Sequence, residues 1–241
     1  MRKAILLALL LMLSAPLALG QQTDPDEPKK AEYFIGFSYE NSDSRLKGED
    51  FVSIDGIPVT DGIATGPGFA FVASNNRGRV DRVGFNSAMT FFFTPRFGLT
   101  GDVSGHFRRE NENFFGGVPF RAQLDRYYFL AGPQVRFVND TRWTPFARGM
   151  AGVAYTRNRY GARSAAAPFT SFDDSKVDFA LGLGGGVDYR ISDRVSYRIL
   201  QGDYTPVFRR NRTITASDGT FIEINGKTEN NLRFSTGILL H

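Results

Sequence analysis

The sequence predicts an all-β fold, an eight-stranded antiparallel up-and-down transmembrane β-barrel with short periplasmic turns and long extracellular loops. Three observations lead there. Eight amphipathic stretches of ten to fifteen residues run through the chain, the last of them reaching its final residue. Their connections alternate between very short turns (Thr94-Pro95-Arg96, Asn139-Asp140-Thr141-Arg142 and Ser192-Asp193-Arg194) and long polar links spanning about 41 to 79, 109 to 121, 157 to 176 and 207 to 229. Within the stretches, apolar and polar residues alternate with the period of a strand that meets two different environments.

The first stretch, Tyr33 to Tyr39, is shorter and its alternation blurrier. The second sets Val83, Phe85, Met89, Phe91 and Phe93 against Arg82, Gly84, Asn86, Ala88 and Thr90. In the third, Phe97, Leu99, Gly101, Val103, Gly105 and Phe107 oppose Gly98, Thr100, Asp102, Ser104, His106 and Arg108. The fourth sets Phe129, Ala131, Val135 and Phe137 against Tyr128, Gly132, Gln134 and Arg136, although Pro133 removes a ladder donor from a sheet that has no edge to hide it on. The fifth covers Pro145 to Tyr155. The sixth opposes Phe179, Leu181, Leu183, Gly185, Val187 and Tyr189 to Asp178, Ala180, Gly182, Gly184, Gly186 and Asp188. The seventh runs from Val195 to about Tyr204; after Ile199 its phase fits either register, which predicts a bulge. The eighth begins at Leu232.

Energy decides which face meets lipid. The polar faces carry Glu32, Asp102, Asp178 and Asp188 with Arg126, Arg136, Arg148, Arg198 and Arg233. A charge at mid-bilayer costs about 2 to 4 kcal/mol in such barrels. These residues are therefore expected to point into the lumen as a charge network. An interior enclosed by eight strands is just wide enough to be filled by side chains, so a plug is expected rather than a broad channel. With the first strand starting in the periplasm, Phe91, Phe93, Phe97, Phe137, Trp143, Tyr189 and Tyr197 gather at the periplasmic rim, and Tyr39, Phe107, Tyr127 and Tyr155 at the outer one. Two such aromatic girdles belong at headgroup level.

Composition narrows the remaining choices. Arg2-Lys3, the apolar run Ala4 to Leu13, and Ala18-Leu19-Gly20 read as a signal peptide over residues 1–20. Residues 21–30 form a polar, proline-containing flexible lead-in, and 31–241 the barrel domain. Removing the signal lowers the formal charge from +4 to +2, since it takes away Arg2 and Lys3 and no acid. So even a balance argues against nucleic acid as a partner. No cysteine is present, so neither disulfides nor thiolate metal sites are expected.

At the level of pattern, Leu130-Ala131-Gly132-Pro133-Gln134-Val135-Arg136-Phe137, Thr144-Pro145-Phe146-Ala147 and Leu181-Gly182-Leu183-Gly184-Gly185-Gly186-Val187-Asp188, with the final amphipathic strand, resemble small outer-membrane β-barrels typified by the transmembrane domain of outer membrane protein A. The resemblance covers nearly all of 31–241. It implies a Gram-negative outer-membrane location, outer-membrane lipids and lipopolysaccharide as neighbours, and the barrel assembly machinery as a partner in biogenesis. Such families include adhesins, structural barrels and narrow pores, so the resemblance implies a fold and a place more than an activity.

Ser104-Gly105-His106 places a hydroxyl and an imidazole on one face, the minimum for an activated nucleophile, but the sequence supplies no orienting acid. Asp43, Glu49, Asp50, Asp55 and Asp61 crowd the first long link without the spacing of a calcium loop. Within that link, Phe51 to Val59 and Phe69 to Val72 look extended, as hairpins beyond the membrane would be. Gly182-Leu183-Gly184-Gly185-Gly186 lies inside an alternating strand with no helix after it, so a nucleotide-binding turn is rejected. Arg157, Arg159, Arg163, Arg209, Arg210 and Arg212 put positive charge in the outer loops, where guanidinium forks suit lipopolysaccharide phosphates. The expected function is a non-enzymatic outer-membrane barrel with a structural or surface-contact role, needing no cofactor and no metal. The alternatives are a narrow porin-like channel for ions or small solutes and a lipid-modifying or proteolytic barrel enzyme.

Overall fold

The computed structural model describes residues 31–43, 51–54, 57–58, 63–66, 69–72, 79–114, 118–162, 170–215 and 221–241. The expected signal peptide and lead-in lie outside these residues, as do Arg163, Glu49, Asp50, Asp55 and Asp61. In chain order the strands are β1 (Ala31–Ser42), β2 (Phe51–Ile54), β3 (Ile57–Pro58), β4 (Ile63–Gly66), β5 (Phe69–Val72), β6 (Val80–Phe92), β7 (Phe97–Phe114) and β8 (Val118–Arg136). They continue with β9 (Trp143–Ala162), β10 (Thr170–Arg190), β11 (Val195–Tyr204), β12 (Val207–Phe208), β13 (Arg212–Thr215), β14 (Phe221–Ile224), β15 (Thr228–Glu229) and β16 (Asn231–Leu240). No helix occurs among the described residues.

Eight of these strands form the barrel. They pair antiparallel in the order β11, β16, β1, β6, β7, β8, β9, β10, and β10 pairs back onto β11 to close the ring. Closure gives every strand two neighbours, which lipid demands because it offers no hydrogen bonds to a free edge. The wall is polar inside and apolar outside. On β1, Glu32, Phe34, Ser38 and Glu40 are buried while Ile35 and Phe37 are exposed; on β16, Asn231, Arg233 and Ser235 are buried while Leu232, Phe234 and Ile238 are exposed. Leu183 is 62% exposed. A soluble lipid-binding barrel would show the reverse, so the chain is a membrane-spanning barrel with its apolar wall in lipid.

The rims carry the two aromatic girdles. Trp143 packs edge-on against Tyr189 at 4.9 Å on the side of the short turns. On the other side, Phe85, Phe107, Tyr127 and Tyr155 form a row across β6 to β9, with successive ring centroids 6.4, 5.6 and 6.2 Å apart.

A narrow barrel bends sharply, and glycines permit it. Gly36 of β1 faces Gly237 of β16. A Cβ on Gly36 would stand 2.1 Å from the Thr236 carbonyl oxygen, and one on Gly237 2.3 Å from that of Ile35. Neither backbone can give way, so Gly237→Ala should lower stability by about 1 to 3 kcal/mol. Urea unfolding in liposomes, followed through the single tryptophan Trp143, is the measurement; unchanged stability would show that the strands have slack here.

Several expectations need correction. The links expected at 109 to 121 and 157 to 176 are largely strand: β7 and β8 stay paired out to Phe114 opposite Val118, and β9 and β10 out to Ala162 opposite Thr170. The sequence alternation that marks a membrane strand fades there while backbone pairing continues. The hairpins expected in the first long link are present as β2 with β3 and β4 with β5. β14 of the last long link pairs with β2, joining the two links in one sheet.

Pro133 stands opposite Leu99 of β7 in an unbroken register. The β8–β9 ladder runs from Ala131 opposite Ala151 to Gln134 opposite Arg148, omitting Gly132 and Pro133, and resumes without a shift. The missing donor is thus accommodated by a local gap. In β11 the irregularity falls between Arg198 and Gln201, where Ile199 and Leu200 both face outward. Arg198, Gln201 and Asp203 consequently all point inward.

The charged lumen as the candidate functional site

Every second residue of a barrel strand points inward, so charges on the polar faces of distant strands converge on one narrow axis. They do so at four heights. Nearest the short turns, Arg136 Nη1 donates to Glu32 Oε1 at 2.7 Å, and its guanidinium lies 3.9 Å above the ring of Phe92. One step in, Arg198 grips Asp188 with both arms of its fork, Nε to Oδ1 at 2.7 Å and Nη2 to Oδ2 at 3.0 Å. The Arg198 guanidinium is sandwiched between Phe146 at 4.0 Å and Phe34 at 4.5 Å.

The middle of the lumen holds a four-membered ring of charge. Arg148 donates to both oxygens of Asp203, at 3.0 and 2.8 Å, and its Nη2 is 3.1 Å from Asp102 Oδ2. Arg233 donates to Asp102 Oδ1 at 2.8 Å and to Asp203 Oδ2 at 3.0 Å. Two guanidiniums and two carboxylates therefore alternate around the axis, all four side chains fully buried. Asn86 and Gln201 donate to the remaining lone pairs of Asp102 and Asp203, each at 2.8 Å. Charges so placed are tolerated because each is paired and hydrogen-bonded, which offsets the cost of removing them from water.

Toward the long loops, Arg82 donates to Glu40 Oε1 at 2.9 Å, Arg126 is 3.7 Å from the same oxygen and also binds Glu229, and Arg209 donates to Glu229 Oε1 at 2.6 Å. Tyr128 receives Asn231 Nδ2 at 3.2 Å beneath this layer. Beside it, Leu130, Met150, Ala154 and Ala180 on β8 to β10 and Val207 on β12 form a buried apolar cluster.

Of the residues expected in the network, Glu32, Asp102, Arg126, Arg136, Arg148, Asp188, Arg198 and Arg233 are joined through these pairs. Asp178 is half-buried opposite Ala154 and lies outside the chain of ion pairs described above. Sequence reasoning missed Glu40, Asp203 and Glu229 as partners. Glu40 is in phase with Glu32 but one residue past the expected end of its stretch. Asp203 follows the bulge, and Glu229 sits in a link with no alternation to flag it. Ser104 and His106 do share the lumen face, but Arg233 donates to Ser104 at 2.7 Å while His106 Nε2 faces Ser38 Oγ at 2.9 Å, so they do not form a pair. Arg209, expected among the loop cations, turns inward to Glu229. No cluster of metal-ligating side chains occurs among the described residues.

No protein-family profile matches the chain, and no curated protein matches it. Among solved structures it is similar to Ail, the attachment invasion locus protein of Yersinia pestis, at 15% identity and a TM-score of 0.43, covering 88% of this chain and all of that one. It is similar also to the outer membrane protease OmpT of Escherichia coli, at 10% identity and a TM-score of 0.48, covering 90% and 99%. A third is the outer membrane protein OprG of Pseudomonas aeruginosa, at 12% identity and 0.45, covering 90% and 98%.

Proposed function

We propose that this chain is an outer-membrane barrel that acts as a closed structural and surface-contact element, sealed by its own side chains and meeting its surroundings through the long loops. The observation that carries this reading is the ring of Arg148, Asp203, Arg233 and Asp102, which spans the axis at mid-height with no exposed member. An ion crossing the lumen would have to break paired charges in a desolvated interior. Ser38, Ser104 and His106, enclosed above the ring, carry no catalysis because they have no access to substrate. Outer-membrane lipids surround the wall, the final strand is what the barrel assembly machinery engages, and Arg157, Arg159 and Arg210 are the loop-side cations for lipopolysaccharide phosphates.

Planar-bilayer recording of the purified barrel tests the seal. The expected result is no steady conductance from the wild-type barrel and measurable leakage once Arg148 is replaced by serine, since that opens the ring and leaves Asp102 and Asp203 to Arg233 alone. Steady single-channel conductance in the unaltered barrel would support the narrow-pore reading instead.

A further inference from the structure

Below the Arg198–Asp188 pair, the barrel opens toward the short-turn side in a cavity of about 240 Å³, whose walls include Glu32, Gln134, Phe146, Arg190, Ser196 and His241. Three of these come together from three parts of the chain: Glu32 from β1, Ser196 from β11, and His241 just after β16. Ser196 Oγ is hydrogen-bonded to His241 Nε2 at 2.8 Å, and His241 Nδ1 lies 3.3 Å from Glu32 Oε1, at ion-pair distance but off the line of a hydrogen bond. Arg136 fixes Glu32 in turn at 2.7 Å. A carboxylate beside Nδ1 favours the tautomer with its proton there, which leaves Nε2 free to accept from the serine. Hydroxyl, imidazole and carboxylate in this order are the arrangement that makes serine a nucleophile.

The barrel holds a second trio built from the same groups. Ser38 Oγ is 2.9 Å from His106 Nε2, and His106 Nδ1 is 3.6 Å from Glu40 Oε2. That trio is fully buried above the central ring; Ser38 and His106 are hydrogen-bonded, while His106 Nδ1 and Glu40 Oε2 face each other without a hydrogen bond. What separates the two is access: one is sealed, and the other lines a cavity.

We propose that Ser196, His241 and Glu32 form an acyl-transfer site that hydrolyses small esters entering from the periplasmic side. Ser196 is the nucleophile, His241 the general base and then acid, and Glu32 a positioning residue. Ser196 Oγ bonds to the ester carbonyl carbon as its proton passes to His241 Nε2; the carbon–oxygen bond to the leaving alcohol then breaks and that oxygen takes the proton. A water molecule, deprotonated by the same Nε2, attacks the acyl-serine, releases the carboxylic acid and returns the proton to Ser196. The cavity admits only a short acyl chain. The Gln134 amide and Arg190 guanidinium on its walls are the donors available to the carbonyl oxygen as charge develops.

The test uses the intact barrel in detergent micelles with a fluorophosphonate probe and a short-chain p-nitrophenyl ester. Expected are covalent labelling located at Ser196 by peptide mass spectrometry, its loss in Ser196→Ala, and its retention in Ser38→Ala. His241→Asn should slow ester hydrolysis by about 100-fold or more, and Glu32→Gln should move the pH profile of labelling, a change that a merely structural carboxylate would not cause. Ser196→Ala removes one hydroxyl and retains the fold, so the comparison stands even where the histidine variant fails to close. Labelling of the folded wild type no greater than that of Ser196→Ala would overturn the proposal, as would undiminished labelling in folded His241→Asn. Neither result bears on the seal, which is read by conductance.

Discussion

Replacing Arg233 by methionine should destabilise the barrel by about 3 to 5 kcal/mol, the loss expected when one partner of a buried ion pair is removed and its counter-charge stays behind. Arg233 is shared by Asp102 and Asp203 and also donates to Ser104 at 2.7 Å. Without it, two desolvated carboxylates depend on Arg148 alone. Adding Asp102→Asn to the same variant restores the charge balance and should recover a large part of the loss. Urea unfolding of the single and double variants in liposomes, read through Trp143, makes the comparison. A single-variant cost below about 1 kcal/mol, the range of an exposed pair, would mean that water already reaches the ring and that the lumen is not sealed there.

The second large effect is expected on the opposite face. Leu183 points outward, 62% exposed, on β10 midway between the levels of the two aromatic girdles, marked by Tyr189 opposite Trp143 and by Val177 opposite Tyr155. Leu183→Arg should therefore cost about 2 to 4 kcal/mol, the depth-dependent penalty for a cation at the bilayer midplane. Tyr197 also faces outward, but in the girdle near the short turns. Tyr197→Arg should cost only about 0 to 1 kcal/mol in excess of the lost aromatic contact, because the penalty falls toward the interface. Equal costs at the two positions would contradict the assigned height of the membrane along the wall.

The membrane-spanning part was legible because lipid enforces alternation on it. The third and sixth stretches declare their faces residue by residue, and the structure places Asp102, Ser104 and His106 inside. Legibility fails wherever that constraint lapses. Beyond the membrane, the pairing of β7 with β8 and of β9 with β10 continues without a clear alternation in the sequence. At Ile199 and Leu200, two successive outward residues reset the phase and hide the inward course of Asp203. The charge network was legible as a set of inward residues but not as partners, because pairing depends on height and strand order around the ring. Glu32 and Arg136 meet across 104 residues of sequence. The Ser196, His241 and Glu32 trio shows no sequence signature at all, its members standing far apart along the chain.

The partners of Arg233 also say something about how the barrel is made. Arg233 lies on the last strand, yet it neutralises Asp102 from β7, 131 residues earlier, and Asp203 from β11. Arg126 likewise meets Glu229 across 103 residues. Such contacts have very high sequence separation and come late, after the loop-closure entropy of the intervening chain has been overcome. Until β16 joins β1 and β11, the central acids of the nascent ring have only half their cations, and an open intermediate would expose them to hydrocarbon. The last strand thus completes the charge balance of the lumen: without Arg233, the central acids Asp102 and Asp203 would keep one cation, Arg148, where the closed barrel gives them two.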